Sequence, residues 1–155
     1  MPNVDLRPVT ATDLPILFEQ QLDPEAARMA EFPPRDYDAF LSHWRGILRD
    51  PSVIALAVIE GSEVLGYVAS FDDEGVRSIG YWIGRQHWRR GVGRSAVSLF
   101  LERESTRPLH ARVARTNLAS IQILERCDFR VVGTDSAAAA TGGAEVEELI
   151  FRLDE

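Results

Sequence analysis

Directly behind a strand-like run at 78–83 lies Trp88-Arg89-Arg90-Gly91-Val92-Gly93-Arg94-Ser95-Ala96, and an amphipathic helical run follows at once. Two glycines spaced by one residue at a strand-to-helix junction let the backbone turn sharply and aim several N–H groups at one spot. The start of a helix adds the positive end of its dipole, so the place suits an anionic group such as phosphate. Arg85, Arg89, Arg90 and Arg94 crowd this stretch of a chain whose net charge is −7. A basic cluster on an acidic protein points to one anionic ligand rather than to polyanions at large.

The pattern on either side of the loop sets the fold class. A short strand is expected over 4–9. Thr12 reads as a helix N-cap with Pro15 in the first turn, and a second short helix follows Asp23-Pro24 until Phe32-Pro33-Pro34 stops it. Asp36 caps a clearer helix whose apolar residues, Ala39, Phe40, Trp44, Ile47 and Leu48, keep helical period. After Pro51 come three β-rich runs, 53–59, 64–71 and 76–83, separated by the polar turns 60–63 and 72–75. Hydrophobic runs joined by short glycine-containing turns predict an antiparallel meander. Beyond the loop, Val92, Ala96, Leu99 and Phe100 form one helix face, 109–114 a strand, and Asn117 caps a helix carrying Leu118, Ile121 and Leu124. Two last strands are expected at 129–133 and 146–153, with a mobile small-residue loop over 136–144. The order predicts an α/β (α+β) domain spanning 1–155, with helices packed on a mixed sheet.

Composition narrows the classes. At 155 residues, 45% hydrophobic and 26% charged, the chain is long enough for one well-filled core. It holds no apolar stretch of membrane-spanning length, and its start has no basic-then-apolar signal segment. One cysteine, Cys127, excludes an internal disulfide framework. The expectation is a cytoplasmic protein without a metal, because His43, His87, His110 and Cys127 make no zinc spacing. The acidic balance argues against nucleic acid as a partner.

The glycine pair alone fits several structures. A plain tight connection needs nothing more. Gly91-x-Gly93-x-x-Ala96 also fits a dinucleotide fingerprint, but residues 85–90 separate it from the strand, 111–116 lacks a ribose-binding carboxylate, and a meander precedes it. The segment resembles the GNAT acyltransferase superfamily, whose core motif is Gln/Arg-x-x-Gly-x-Gly/Ala after the fourth strand. Both glycines match, and Trp88 departs from the first position. An aromatic there is similar to the branch of ribosomal-protein N-terminal acetyltransferases. Asn117-Leu118-Ala119-Ser120 followed by Leu124-Glu125-Arg126-Cys127-Asp128-Phe129 resembles that branch's Asn-x-x-Ser-x-x-x-Leu-Glu-Lys-x-Gly-Phe, as does Gly80-Tyr81-Trp82-Ile83 before the loop.

The resemblance implies a mostly antiparallel sheet of about seven strands whose fourth and fifth, 76–83 and 109–114, run parallel and splay apart. It implies acetyl-CoA as co-substrate, with the backbone of Tyr81, Trp82 and Ile83 along the pantetheine arm. The pyrophosphate would lie on Gly91, Val92, Gly93, Arg94 and Ser95, with Arg89, Arg90 and Arg94 adding charge and Asn117 ordering the turn. The acyl group would pass to a primary amine by direct attack, on a small molecule or on a protein or peptide. Ile83 would supply an oxyanion N–H. The tyrosine that many members place near the sulfur is Leu124 here, and the glutamate often found on the fourth strand is Ser78. Ser120 is then the candidate for the sulfur. Candidates for the base are Glu31, Asp36, Asp72, Asp73, His43 and His110, the last on the strand facing the cleft. Phe32 to Tyr37, with Trp44 behind, is the expected acceptor wall, although Phe40, Trp44 and Ile47 have the spacing of core residues. Without a base, the acceptor must be an α-amine or another low-pKa amine. The alternative is a catalytically weak acyl-CoA-binding sensor or partner module. Family analogy also allows a homodimer through the last strands.

Overall fold

The computed structural model of the chain describes residues 2–30, 34–138 and 145–155. The expected meander is formed by β2 (Ile54–Glu60), β3 (Glu63–Asp73) and β4 (Val76–Ile83), with β1 (Asp5–Pro8) antiparallel to β2. Beyond β4 lie β5 (Leu109–Ala114), β7 (Glu145–Leu153) and β6 (Arg130–Ala138). The seven strands are ordered β1-β2-β3-β4-β5-β7-β6, and β4 with β5 is the parallel pair. This is the mixed, mostly antiparallel sheet that the resemblance implied.

Period-two alternation divides the strand residues between two cores. Ala57 and Val64 face Leu14 and Leu17 of α1 (Leu14–Gln21) and Phe40 and Trp44 of α3 (Tyr37–Arg49). Their neighbours Val58 and Leu65 face the other way, onto Val92, Val97 and Phe100 of α4 (Val92–Leu101) and Leu124 of α5 (Leu118–Arg126). Phe100, Leu124 and Phe151 are fully buried in this larger core, each worth roughly 1.5–3 kcal/mol by area removed from water. A short α2 (Pro24–Ala30) connects α1 to the cleft described below.

Several local expectations are corrected. The first helix enters through Thr10 rather than Thr12: a 3-10 turn over Ala11–Asp13 intervenes, and the Asp13 carboxylate reaches back to accept from the Thr10 N–H at 2.8 Å. Asp13 also takes a two-pronged bond from Arg7, at 2.7 and 2.8 Å, which favours the turn over a simple cap. Leu118 lies outside the core, 70% exposed at the start of α5. β6 runs on to Ala138, so the expected loop over 136–144 begins inside a strand, and residues 139–144 lie outside those described.

The sheet opens between β4 and β5. These strands share one bridging register position, Ser78↔His110, whereas β5 pairs with β7 from Leu109↔Leu153 through Ala114↔Glu148. Gly66 of β3 holds β4 on the opposite side. A side chain there would place its Cβ 2.1 Å from the Trp82 carbonyl oxygen and 2.9 Å from the Ile83 Cα. Only glycine permits this approach, which draws the end of β4 towards β3 and away from β5.

At the other end of β4 the Arg77 guanidinium donates to Glu104 at 2.6 Å, to the Ser52 carbonyl at 2.7 Å and to Ser70 Oγ at 3.0 Å. Burial would raise the Glu104 carboxyl, but the hydrogen bonds from Arg77 and Ser70 outweigh it and hold the group below its usual range. A carboxyl lowered on folding stabilises the protein above its unfolded value of about 4.3, and that contribution disappears as the pH falls through the folded value. Glu104→Gln is therefore expected to cost about 2 kcal/mol at pH 7 in urea unfolding and to flatten the loss of stability on acidification below about pH 4.5. Gly66→Ala is expected to cost about 3 kcal/mol or more, because the obstruction is backbone and cannot rotate away; a stability within error of the parent would show that the close approach is not required.

Candidate active site

The opening between β4 and β5 is a cleft of about 580 Å³ that passes through the sheet. One mouth is lined by Asn117 and Ser120 of α5 and by Tyr81 of β4; the other by α1 and α3, through Gln20, Phe40, His43 and Trp44. Ladder geometry tells which backbone groups edge it. Gly84 donates to the Leu65 carbonyl at 2.9 Å, and Gly66 stands opposite Ile83. Hydrogen-bonded and non-bonded pairs alternate along an antiparallel ladder, so Trp82 and Gly80 bond to β3 while Tyr81 and Ile83 turn their N–H and C=O groups towards the gap. The Ile83 carbonyl accepts from the Trp88 indole Nε1 at 2.9 Å. Trp88, the residue that departs from the usual motif, thus ties the glycine loop to the end of β4.

The loop itself is a backbone nest. Arg89 and Gly91 have φ of 65° and 77°, and Gly91 in this left-handed conformation is the N-cap of α4. Alternating hands of this kind gather N–H groups into one concavity. Ser95 N–H is bonded to the Gly91 carbonyl at 3.0 Å, so the expected contribution of its N–H to an anion is corrected: the unspent donors are those of Gly91, Val92, Gly93 and Arg94. Gly93 has its own packing reason, since a Cβ there would fall 2.5 Å from Ile123 Cδ1 where α4 crosses α5.

The four arginines separate. Arg90 is paired with Glu60 at 2.8 Å, and Arg85 with Asp23 at 3.3 Å. The side chains of Arg89 and Arg94 are exposed and have no partner among the described residues.

On α5, the Asn117 Oδ1 accepts from the Ser120 N–H at 3.2 Å, so its carbonyl oxygen is spent on capping and its NH2 remains a donor beside the cleft. Ser120 Oγ lies 2.6 Å from the Tyr81 hydroxyl. Burial pushes the Tyr81 hydroxyl well above its ordinary value against the opposing hydrogen bond with Ser120, so it is a neutral donor at any physiological pH.

The candidate bases scatter. His43 lines the cleft, and burial followed by the charge of Arg35 lowers its pKa below 6.5, leaving it unprotonated at neutrality. His110 stands at the closed end, opposite Ser78 where β4 and β5 still pair, and is not among the residues lining the cleft. Asp36 caps α3, while Asp72 and Asp73 sit by the β3–β4 turn at the far end of the strand. Glu31, Phe32 and Pro33 lie outside the described residues. Phe40 and Trp44 are core residues, 4% and 2% exposed, yet they also form the cleft wall with Tyr67, Phe71 and Trp82. Gln21 clasps the backbone of Arg35 with two hydrogen bonds, 2.9 and 3.0 Å, and so seats Arg35 at this wall. Glu148 reaches the cleft from β7, paired with Arg112 at 3.2 Å. Sequence reading missed it, because only the long-range register Ala114↔Glu148 brings it there.

Comparison with known proteins accords with this geometry. The family model described as "Acetyltransferase (GNAT) domain" matches residues 3–130. No curated protein sequence matches the chain significantly. Among solved structures, spermidine N-acetyltransferase from Vibrio cholerae in complex with CoA and spermine superposes with a TM-score of 0.79 at 15% identity, covering 96% of this chain and 95% of that one. Mycobacterium smegmatis RimJ in complex with CoA-disulfide gives 0.78 at 19%, over 97% and 81%. Salmonella typhimurium yncA with its cofactor acetyl-CoA gives 0.74 at 17%, over 97% and 93%.

Proposed function

The chain belongs to the GNAT acetyltransferase family, and we propose that it is a single acyltransferase domain passing an acetyl group from acetyl-CoA to a primary amine by direct attack in a ternary complex. The observation that carries the reading is the opening between β4 and β5, edged by outward N–H groups and ending beside a backbone nest with two unpartnered arginines. Acetyl-CoA supplies an activated thioester carbonyl and a thiol leaving group. Tyr81 and Ile83 offer N–H groups to the amide-rich pantetheine arm, in the manner of an added strand. Gly91, Val92, Gly93 and Arg94 offer theirs to the pyrophosphate, with Arg89 and Arg94 adding charge. Arg90, held by Glu60, contributes less. The Ile83 N–H is the oxyanion donor, and a donor fixed before the reaction costs no reorganisation when charge develops. Ser120 faces the sulfur.

The acceptor enters from the side of α1 and α3, against Phe40, Trp44, Tyr67 and Trp82. His43 takes the proton from the attacking amine, directly or through water, because it lines this mouth and is already neutral at pH 7. The resemblance to the ribosomal-protein branch favours an α-amine of a protein or peptide; V. cholerae spermidine N-acetyltransferase, of the same fold, was solved with spermine. A homodimer through the last strands and a cytoplasmic location belong to the same reading, and no helix among the described residues is long and apolar enough to cross a membrane.

Calorimetry should detect acetyl-CoA binding, weakened roughly tenfold by Arg89→Ala or Arg94→Ala and much less by Arg90→Ala. Thiol release with a panel of amines and N-terminal peptides should then find an acceptor. Binding without turnover across the panel favours a binding module, and absence of binding excludes both. With an acceptor in hand, kcat/KM should fall on the acid side with a pKa below 6.5, a limb lost in His43→Gln. An unchanged limb in that variant would remove His43 from the mechanism.

A further inference from the structure

One pair of hydroxyls in the cleft has a geometry that decides more than its place in the lining. Tyr81 comes from β4 and Ser120 from the first turn of α5, on opposite walls. Their oxygens are 2.6 Å apart, and the Tyr81 hydroxyl also lies 3.2 Å from the Ser120 carbonyl. Each hydroxyl carries one proton. The Ser120 carbonyl can only accept, so Tyr81 is the donor in that contact, while between the two hydroxyls either oxygen can be the donor. The Ser120 N–H is already given to Asn117. An anionic acceptor in the cleft selects the arrangement in which Tyr81 also gives its proton towards Oγ, so that the Ser120 proton is left for that acceptor, on a side chain that Tyr81 holds beside the cleft and whose backbone N–H is fixed by Asn117.

Resting on the acetyl-CoA reading above, we infer that Tyr81 is a positioning residue that aims the Ser120 hydroxyl at the thioester sulfur, and that the pair holds the departing sulfur as a hydrogen-bonded thiolate. When the tetrahedral intermediate collapses, the carbon–sulfur bond breaks with its electron pair going to sulfur. The Ser120 proton stays on its oxygen, and the thiolate takes a proton later from solvent water. Proton supply would run uphill. Even a thiol as weak as a phenol would gain nothing from a phenol that starts at about 10, and an aliphatic hydroxyl is a weaker acid still. Burial moves the Tyr81 hydroxyl further in the same direction. A donor that cannot give up its proton still stabilises charge. Hydrogen bonds to an ionised partner are the strong ones, and a chain of two hydroxyls polarises the terminal donor.

Binding distinguishes this role from packing, and needs no acceptor. The affinities of CoA and of desulfo-CoA are measured by calorimetry from pH 7 to 9.5. The parent protein should prefer CoA by on the order of tenfold once its thiol is ionised, and the bound thiol should ionise at a lower pH than free CoA. Tyr81→Phe, which keeps the ring, should bring the ratio towards one and the ionisation back to that of free CoA. Ser120→Ala should do the same, and the double variant should add nothing, because the two act through one contact. Equal weakening of both ligands in Tyr81→Phe would assign Tyr81 to packing and overturn the inference. A preference unchanged in Ser120→Ala would overturn it as well. A parent protein that binds neither ligand would overturn the acetyl-CoA reading and this inference together, whereas binding without a sulfur preference would overturn the inference alone.

Discussion

Everything functional in this chain depends on two neighbouring strands failing to pair. Parallel strands in a mixed sheet ordinarily bond along their length, and β4 and β5 do so at a single bridging position. The failure is enforced from outside the pair. Gly66 lets β3 draw the end of β4 in, six register positions fasten β5 to β7 on the other side, and the Trp88 indole satisfies the Ile83 carbonyl that a paired β5 would otherwise have taken. Unmade ladder bonds at a buried edge are costly. Here Trp88 satisfies the Ile83 carbonyl and leaves the Ile83 N–H open, while Tyr81 leaves both its N–H and its C=O facing the gap. On the proposed reading, Tyr81 can pair with an amide through both groups, and Ile83 keeps a donor for a developing negative charge.

Charge follows the same division of labour. The protein carries a net −7, and its acidic residues pair with two of the four arginines at the loop: Glu60 holds Arg90 and Asp23 holds Arg85. Arg89 and Arg94 are left beside the nest. Exposed pairs of this kind add little stability, but they subtract cations from the field around the loop. Two guanidinium groups and a helix start then act on an anion at one point, while the surface elsewhere repels it.

How far the sequence could be read depended on the range of the interaction. The meander, the glycine loop and the caps at Asp36 and Asn117 were legible, because each is written in adjacent residues whose spacing matches a backbone period or a turn. Thr12 misled because Arg7, six residues from Asp13, adds a two-pronged bond that shifts the turn to Thr10. Leu118 fits the apolar period of α5 but stands at its first position, where the helix has not yet met the core. Around the cleft, the positions of residues fixed by their own loop or cap could be read from the sequence, and those delivered by pairing could not. Glu148 reaches the cleft through the β5–β7 register. Tyr81 was read only as backbone, although its hydroxyl meets Ser120 across the gap. His110, read as facing the cleft, sits at the one position where the strands remain paired. A one-residue difference along a strand decides such matters, and local pattern does not determine it.

The two mouths of the cleft therefore ask for different chemistry. On the proposed reading, the α5 side offers hydroxyls and N–H groups that stay protonated, suited to stabilising a leaving thiolate and not to taking a proton. On that same reading, deprotonation of the amine falls to the α3 side, where His43 lines the wall and is kept neutral by burial and by the Arg35 charge. A lysine-type amine at neutral pH lies about 3 pH units from its free base, or about 4 kcal/mol, while an α-amine lies about 1 unit away, or about 1.4 kcal/mol. On the proposed reading, then, the amine's own basicity favours α-amines, before any side chain of the acceptor touches the aromatic residues.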